Sequence, residues 1–361
     1  MRHIIITAVA LAGGAAPALA QQTVEVGSNQ NLSEAELTAG FFDDAGVGFT
    51  LGPGTTFDIN DGGSIGPVDS LFGFSFSGST VNINDGGRFD SDFLSESRVS
   101  DLTLNVRDGG TLGDRFLANA STINITGGMV GTNLTTQLGG TVTIAGGTVG
   151  DSFNALSGST VTITGGTVGV GFDANDGSEV TISGGTVGNA FDANDGSTVT
   201  IAGGTVGGFF TVFNGSEVNI SGGTVGDNFD AFDGSTVNLL VIGISIDGTD
   251  LGLAPGETIE ITQRGGALLE ATLAEGSFFD LQLNSGFVSG QDEVESGATL
   301  TVTRIKSLDF NGDGSVDIAD LIGFLNEFFG AQADPALDFN GDGSTDISDL
   351  ISYINAFSAS P

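Results

Sequence analysis

A twelve-residue segment rich in side-chain oxygens occurs twice near the C-terminus, as Asp309-Phe-Asn-Gly-Asp-Gly-Ser-Val-Asp-Ile-Ala-Asp320 and Asp338-Phe-Asn-Gly-Asp-Gly-Ser-Thr-Asp-Ile-Ser-Asp349, 29 residues apart. A hard cation such as calcium takes about six to eight oxygens. A twelve-residue loop supplies them from positions 1, 3, 5, 7, 9 and 12 when glycine at position 6 permits the sharp turn. In the first segment Asp309, Asn311 and Asp313 offer side-chain oxygens, Ser315 its backbone carbonyl, Asp317 a direct or water-mediated contact and Asp320 the closing carboxylate, with Gly314 at the turn. The same roles fall to Asp338, Asn340, Asp342, Ser344, Asp346 and Asp349, with Gly343 turning the backbone. One such segment alone could be a plain turn, since Asp, Asn and Gly favour turns for local reasons. Two full-length copies predict two bound calcium ions.

Each segment runs into an apolar stretch that predicts a helix, Ile318 to Phe329 and Ile347 to Phe357. Leu321, Ile322, Leu325 and Phe328, and likewise Leu350, Ile351, Ile354 and Phe357, are expected to share one face by their spacing. No helix is expected to enter either loop: Thr299 to Ile305 read as a strand, and Pro335 falls within residues 330–337. The pattern is half of an EF-hand used twice. Residues 307–361 resemble a type I dockerin, the small calcium-folded module that docks onto cohesin domains. The resemblance implies a cohesin-like partner met by loop positions 10 and 11, here Ile318, Ala319, Ile347 and Ser348. Many members of that family carry a polar pair there. A piece of this size without cysteine is expected to fold only with its metal.

The chain opens Met1-Arg2-His3, continues with the apolar run Ile4 to Leu11, and reaches Pro17-Ala18-Leu19-Ala20 before Gln21. That order predicts a secretory signal over residues 1–20, cleaved after Ala20, with an apolar run too short to span a bilayer. The expected location is secreted or at the cell surface, without membrane insertion. Cysteine is absent and His3 is the only histidine. Loss of the leader would therefore exclude a histidine base, a Cys-His pair, a Ser-His-Asp triad and an ordinary zinc site. The formal charge is −37; it becomes −38 once Arg2 leaves. Such a field repels nucleic acid and attracts divalent cations. With 15% charged and 39% apolar residues, the composition is that of a folded acidic protein rather than a disordered one.

These loops close a chain whose middle repeats every 19 residues, as shown by Phe153, Phe172, Phe191, Phe210 and Phe229, and by Gly146, Gly165, Gly184, Gly203 and Gly222. One unit, Gly158-Ser-Thr-Val-Thr-Ile-Thr-Gly-Gly-Thr-Val-Gly-Val-Gly-Phe-Asp-Ala-Asn-Asp176, fits three short strands separated by turns. Its first strand alternates, with Val161 and Ile163 inward and Thr160, Thr162 and Thr164 outward. The density of glycine excludes helix. A coil this small cannot bury its own apolar face, but coils stacked about 4.8 Å apart can. The fold class is therefore all-β, a parallel β-helix of about 19 residues per coil. The inward pairs run from Phe57/Ile59 to Val237/Leu239, with wider early coils. The expected organisation is a β-helix over 21–240 with residues 22–50 as N-terminal cap, a β-rich C-terminal cap over 241–306, and the dockerin-like module over 307–361.

Chemistry is sparse along this solenoid. Asp173, Asp192 and Asp230, and again Asp176, Asp195 and Asp233, form outward ladders broken in one coil by Thr211 and Asn214. They read as solvated acidic turns, with weak surface calcium binding as the alternative. The basic cluster Arg88, Arg98, Arg107 and Arg115 has Asp85, Asp90, Asp92, Asp101, Asp108 and Asp114 near it in sequence. Polysaccharide lyases resemble this chain in their β-helical architecture and typically use calcium-held carboxylates with an arginine or lysine base, so a glycosidic site would sit here if anywhere. Mutual neutralisation on an acidic wall accounts for the same residues. Tryptophan is absent and Tyr353 is the only tyrosine, so sugar-stacking rings are few. The expected function is a non-catalytic structural or adhesive solenoid, attached to an extracellular assembly by its calcium-dependent tail, with a protein or polysaccharide as its contact. The alternative is a polysaccharide-degrading component, lyase or hydrolase, of a dockerin–cohesin complex.

Overall fold

The computed structural model describes residues 22–26, 31–32, 55–60, 64–65, 77–89, 100–286, 290–306, 310, 316–330, 337, 339 and 345–359. The leader expected over 1–20 and most of the expected N-terminal cap lie outside them. The chain divides into two compact units, Met1–Val180 with Gly185–Phe191, and Thr181–Gly184 with Asp192–Pro361. The fold is a parallel β-helix, as the 19-residue repeat predicts.

In the first unit a coil comprises Thr160–Ile163, the Gly165-Gly166 corner, Thr167–Val168, a second bend, and Asp173–Ala174. A turn closed by the Ser178 N–H donating to the Asn175 carbonyl at 2.8 Å leads to the next coil. Each strand stacks in parallel on its counterpart: Val142 opposite Val161, Ile144 opposite Ile163, Thr148 opposite Thr167 and Asn154 opposite Asp173. Val161 and Ile163 are fully buried while Thr162 between them is half-buried. Like therefore lies on like, and apolar side chains bury against identical neighbours at the strand spacing.

Phe153, Phe172 and Phe191 show the result most plainly. Their rings are fully buried and stack face to face, with centroids 4.7 and 4.8 Å apart. Phe172→Ala would empty a slot walled by two rings that are themselves held by their coils. We expect a loss of about 3 to 5 kcal/mol, read from the shift in urea midpoint; a loss below about 1 kcal/mol would mean that the coils collapse onto the gap.

Gln22–Val26 lies parallel to Thr55–Ile59, and Asn31–Leu32 parallel to Ser64–Ile65, so part of the region expected as a cap joins the ladder. The outward positions of the wide early coils carry an amide ladder. Asn82 donates to Asp58 at 2.5 Å, Asn105 to Asn82 at 2.7 Å and Asn124 to Asn105 at 2.8 Å.

In the second unit the coil strands Thr198–Val206, Glu217–Val225 and Thr236–Ile246 continue the pattern. Phe210 meets Phe229 edge to face at 5.3 Å, and Phe229 meets Phe279 in the same way at 6.4 Å. Phe279 belongs to an antiparallel pair, Ala267–Leu273 with Phe278–Leu283, that also pairs with the end of the 236–246 strand.

The chain then returns to the parallel ladder beyond residue 240. Glu293–Val294 stacks on Asp230–Ala231, and Thr299–Arg304 on residues 236–241. Val294, Leu300 and Val302 are buried and supply the inward positions of that added layer. Thr258–Glu260 lies antiparallel along Thr299–Arg304, so the free edge of this last strand is covered rather than left as a template for another chain.

Candidate metal centre

The loop positions divide between described and undescribed residues. Asp309, Asn311, Asp313 and Ser315, and Asp338, Asn340, Asp342 and Ser344, lie outside the described residues. Asp317, Asp320, Asp346 and Asp349 lie within them, at the starts of two helices, α1 (Ile318–Phe328) and α2 (Ile347–Ala359).

Both helix starts are built alike. Asp317 is the N-cap of α1 with extended backbone, and its Oδ1 accepts the Ala319 N–H at 2.7 Å. Asp320 reaches back, its Oδ2 accepting the Asp317 N–H at 2.8 Å. In the second copy Asp346 accepts the Ser348 N–H at 2.8 Å, and Asp349 accepts the Asp346 N–H at 2.8 Å. These reciprocal bonds satisfy backbone donors that a helix start leaves unpaired. The backbone N–H of Ser348, followed by its hydroxyl, holds the exposed Asp346 carboxyl below the usual carboxylate range.

Asp320 and Asp349, the position-12 residues, are both 0% exposed. Residues 307–361 hold ten carboxylates and no lysine, arginine or histidine. Burying a carboxylate costs several kcal/mol unless a cation or donors compensate, and this segment contains no cationic side chain of its own. The donor chemistry thus fits a hard cation with Asp320 and Asp349 as closing ligands. A bound calcium ion would supply the positive charge about which the loop oxygens gather. Among the described residues alone no group of three metal-ligating side chains is gathered.

The inward faces of α1 and α2 differ from the sequence expectation. Phe324 and Tyr353 are the fully buried residues, with Leu321, Leu325, Phe328, Leu350 and Phe357 packed around them, whereas Ile322, Ile351 and Ile354 face outward at 51, 53 and 42% exposure. The reason is that the buried aspartates set the phase: 320, 324 and 328 fall on one side at fourfold steps, as do 349, 353 and 357.

Phe324 and Tyr353 are equivalent under the duplication and stack on one another, centroids 4.0 Å apart and planes 4° apart. Phe310 and Phe339, likewise equivalent, each pack edge-on against both rings. Ile318 and Ile347, the position-10 residues, are exposed at 63 and 62%. Ala319 and Ser348 follow them in the first helical turn.

The arginines of the early coils are placed on different segments. Arg88 lies on the second strand of its coil and Arg115 in the corner before the third. Arg107 donates to Asn84 at 2.9 Å and Asn82 at 3.2 Å. Arg98, Asp90 and Asp92 lie outside the described residues. Asp114 caps the adjacent coil, accepting the Thr132 N–H at 2.7 Å, which is a structural use of its carboxylate.

The aspartate ladder takes the expected register, with Thr211 between Asp192 and Asp230. Burial, then the neighbouring carboxylates Glu293 and Asp292, push Asp230 up to about 6. Because the folded value lies above the unfolded one, folding is favoured by protonation. Stability is highest below about pH 4 for this group and falls as pH rises to about 6. Discounted for partial exposure, the effect is on the order of 1 kcal/mol. Asp230→Asn should flatten the stability profile between pH 4 and 6; an unchanged slope would contradict the assignment.

The chain matches no protein-family model and no curated protein. Among solved structures it is similar to a crystal structure of a TibC-catalysed hyper-glycosylated TibA fragment, with 15% identity, a TM-score of 0.39, and coverage of 61% of this chain and 71% of that one.

Proposed function

We propose that this is an exported, non-catalytic β-solenoid whose C-terminal module, folded around two calcium ions, attaches it to an extracellular or cell-surface assembly. The observation that carries the reading is the pair Asp320 and Asp349, fully buried in a segment of ten carboxylates without a basic residue. The solenoid supplies an extended, repetitive surface, and the module presents Ile318 and Ile347 outward on its two copies. A cohesin-like domain would meet those isoleucines and the adjoining Ala319 and Ser348. The partner surface they fit is apolar.

The test is retention of the full chain on the cell-envelope and secreted fractions of its source, in calcium and then in chelator. Capture that is lost with chelator and with Ile318→Asp/Ile347→Asp supports the reading. Capture indifferent to both would overturn attachment through this module, and turnover of a polysaccharide by the purified chain would overturn its non-catalytic part.

A further inference from the structure

Four strands of the second unit, Asp192–Ala193, Thr211–Val212, Asp230–Ala231 and Glu293–Val294, stack in parallel register. Ala193, Val212, Ala231 and Val294 are buried. The outward column is Asp192, Thr211, Asp230 and Glu293. Two residues further on, the same face carries Asn194, Phe213, Phe232 and Glu295. Where the preceding repeats have Asn175 and Asn194, two coils place aromatic rings on the outside of the solenoid. Phe213 and Phe232 are half-buried, with centroids 5.4 Å apart and planes tilted by 54°.

Acidic side chains dominate the column beside these rings. No lysine or arginine occurs between residues 116 and 263. Arg264, the nearest in sequence, spends its guanidinium on the carbonyls of Ile261, Gln263 and Ala298, at 2.7, 2.9 and 3.0 Å, and reaches Glu295 only at its carbonyl, at 3.4 Å. Glu293 is 5% exposed. Among the described residues its carboxylate accepts no hydrogen bond, and it lies across from Asp230, which it repels. Asp292, by contrast, is satisfied by the N–H groups of Phe229 and Gln282, both at 2.9 Å. Two carboxylates thus stand across from one another beside two half-open rings, the oxygens of Glu293 reaching the surface, and among the described residues no cationic side chain donates to either.

We propose that this outward face is a docking surface for a basic protein segment, with an arginine or lysine side chain seated over Phe213 and Phe232 and held by Asp230 and Glu293. Cations bind the electron-rich faces of aromatic rings, and charge-assisted hydrogen bonds to carboxylates are stronger than neutral ones. A neutral glycan could use the rings but would leave the paired carboxylates uncompensated. The proposal deepens the attachment role above by giving the solenoid a partner of its own, without relying on the calcium module.

The test is titration of the full chain at pH 7 with the peptide Gly-Arg-Gly-Arg-Gly, followed by calorimetry. Phe213→Leu/Phe232→Leu, which keeps apolar bulk and charge but removes the rings, should weaken binding about tenfold, in line with 0.5 to 1 kcal/mol per cation–ring contact. Asp230→Asn should weaken it by a similar factor. The ring-preserving Phe213→Tyr/Phe232→Tyr, and the charge control Asp176→Asn/Glu179→Gln, outside the residues named here, should stay within about twofold of the unaltered chain. Equal binding by the leucine variant would reduce the effect to diffuse attraction by an acidic protein and overturn the site. Ring-dependent binding of maltoheptaose without binding of the peptide would overturn it in favour of a glycan. Chelator separates the two readings: it should abolish attachment through the tail and leave peptide binding intact.

Discussion

Alanine at both Asp320 and Asp349 is expected to leave the C-terminal module unfolded in calcium concentrations that fold the unaltered chain. Each carboxylate is fully buried and accepts the backbone N–H of the position-9 aspartate at 2.8 Å. Its loss orphans that N–H, at about 1 to 3 kcal/mol per site, and under the proposed calcium reading it also removes the closing ligand. Calcium at a thousandfold excess over its dissociation constant stabilises a folded site by about 4 kcal/mol. A small module carrying ten carboxylates has no comparable reserve. The chain contains its own reporter, since Tyr353 is the only tyrosine and tryptophan is absent. Tyr353 is 0% exposed and stacked on Phe324, so its near-ultraviolet circular dichroism reads this module and nothing else. The signal should collapse in chelator, return with calcium, and never develop in the double variant. A Tyr353 band indifferent to chelator would remove calcium from the account of how this segment folds.

What the sequence made legible, and what it did not, follows from how local each signal is. The coil register could be read because stacking places each residue on its own equivalent: Val142 on Val161 needs only the 19-residue beat. The metal-loop expectation is also local, written in twelve consecutive residues; of its positions the structure describes Asp317, Asp320, Asp346 and Asp349, at two alike helix starts. The pairing of Phe324 with Tyr353 was not legible, because it joins two helices whose relative rotation no single helix records. Ile322 and Phe324 are both apolar and only two residues apart, and the buried Asp320, which decides between them, reads in sequence as polar.

The return of residues 293–304 to the ladder was hidden by the excursion that separates them from 230–241. Leu300 and Val302 do alternate with threonines as earlier strands do. The corner before each third strand was hidden for another reason. Arg115, Asn133, Ser152, Ala190, Phe209 and Asn228 all adopt φ between 57 and 61° there, and Gly171 adopts 74°. The stack imposes that conformation, so residue type announces it only at the glycine and asparagine positions.

The second large effect is expected at the glycine corner itself, where Gly166→Ala should cost on the order of 4 kcal/mol. Two separable causes contribute. Gly166 has φ +74°, a region that costs a side-chain-bearing residue about 1 to 2 kcal/mol. A Cβ there would also stand 2.7 Å from the Gly146 carbonyl carbon and 2.8 Å from the Gly147 oxygen, both backbone atoms of the coil below. Gly185 stands over Gly165 in the same way, so the coils touch main chain to main chain at this corner and none can yield alone. Opening the contact would stretch the bonds from Thr167 N–H to the Gly147 carbonyl, 3.0 Å, and from Thr186 N–H to the Gly166 carbonyl, 2.9 Å. Gly248 isolates the first cause, because it has φ +72° but nothing within 4 Å of the place a Cβ would take. Gly248→Ala should therefore cost about 1 kcal/mol, both variants being followed by far-ultraviolet circular dichroism in urea. If the two substitutions cost the same, the double glycines serve only to turn the chain. If Gly166→Ala costs several times more, they set how closely the coils approach, and with it the spacing at which every side chain on the outer faces is presented.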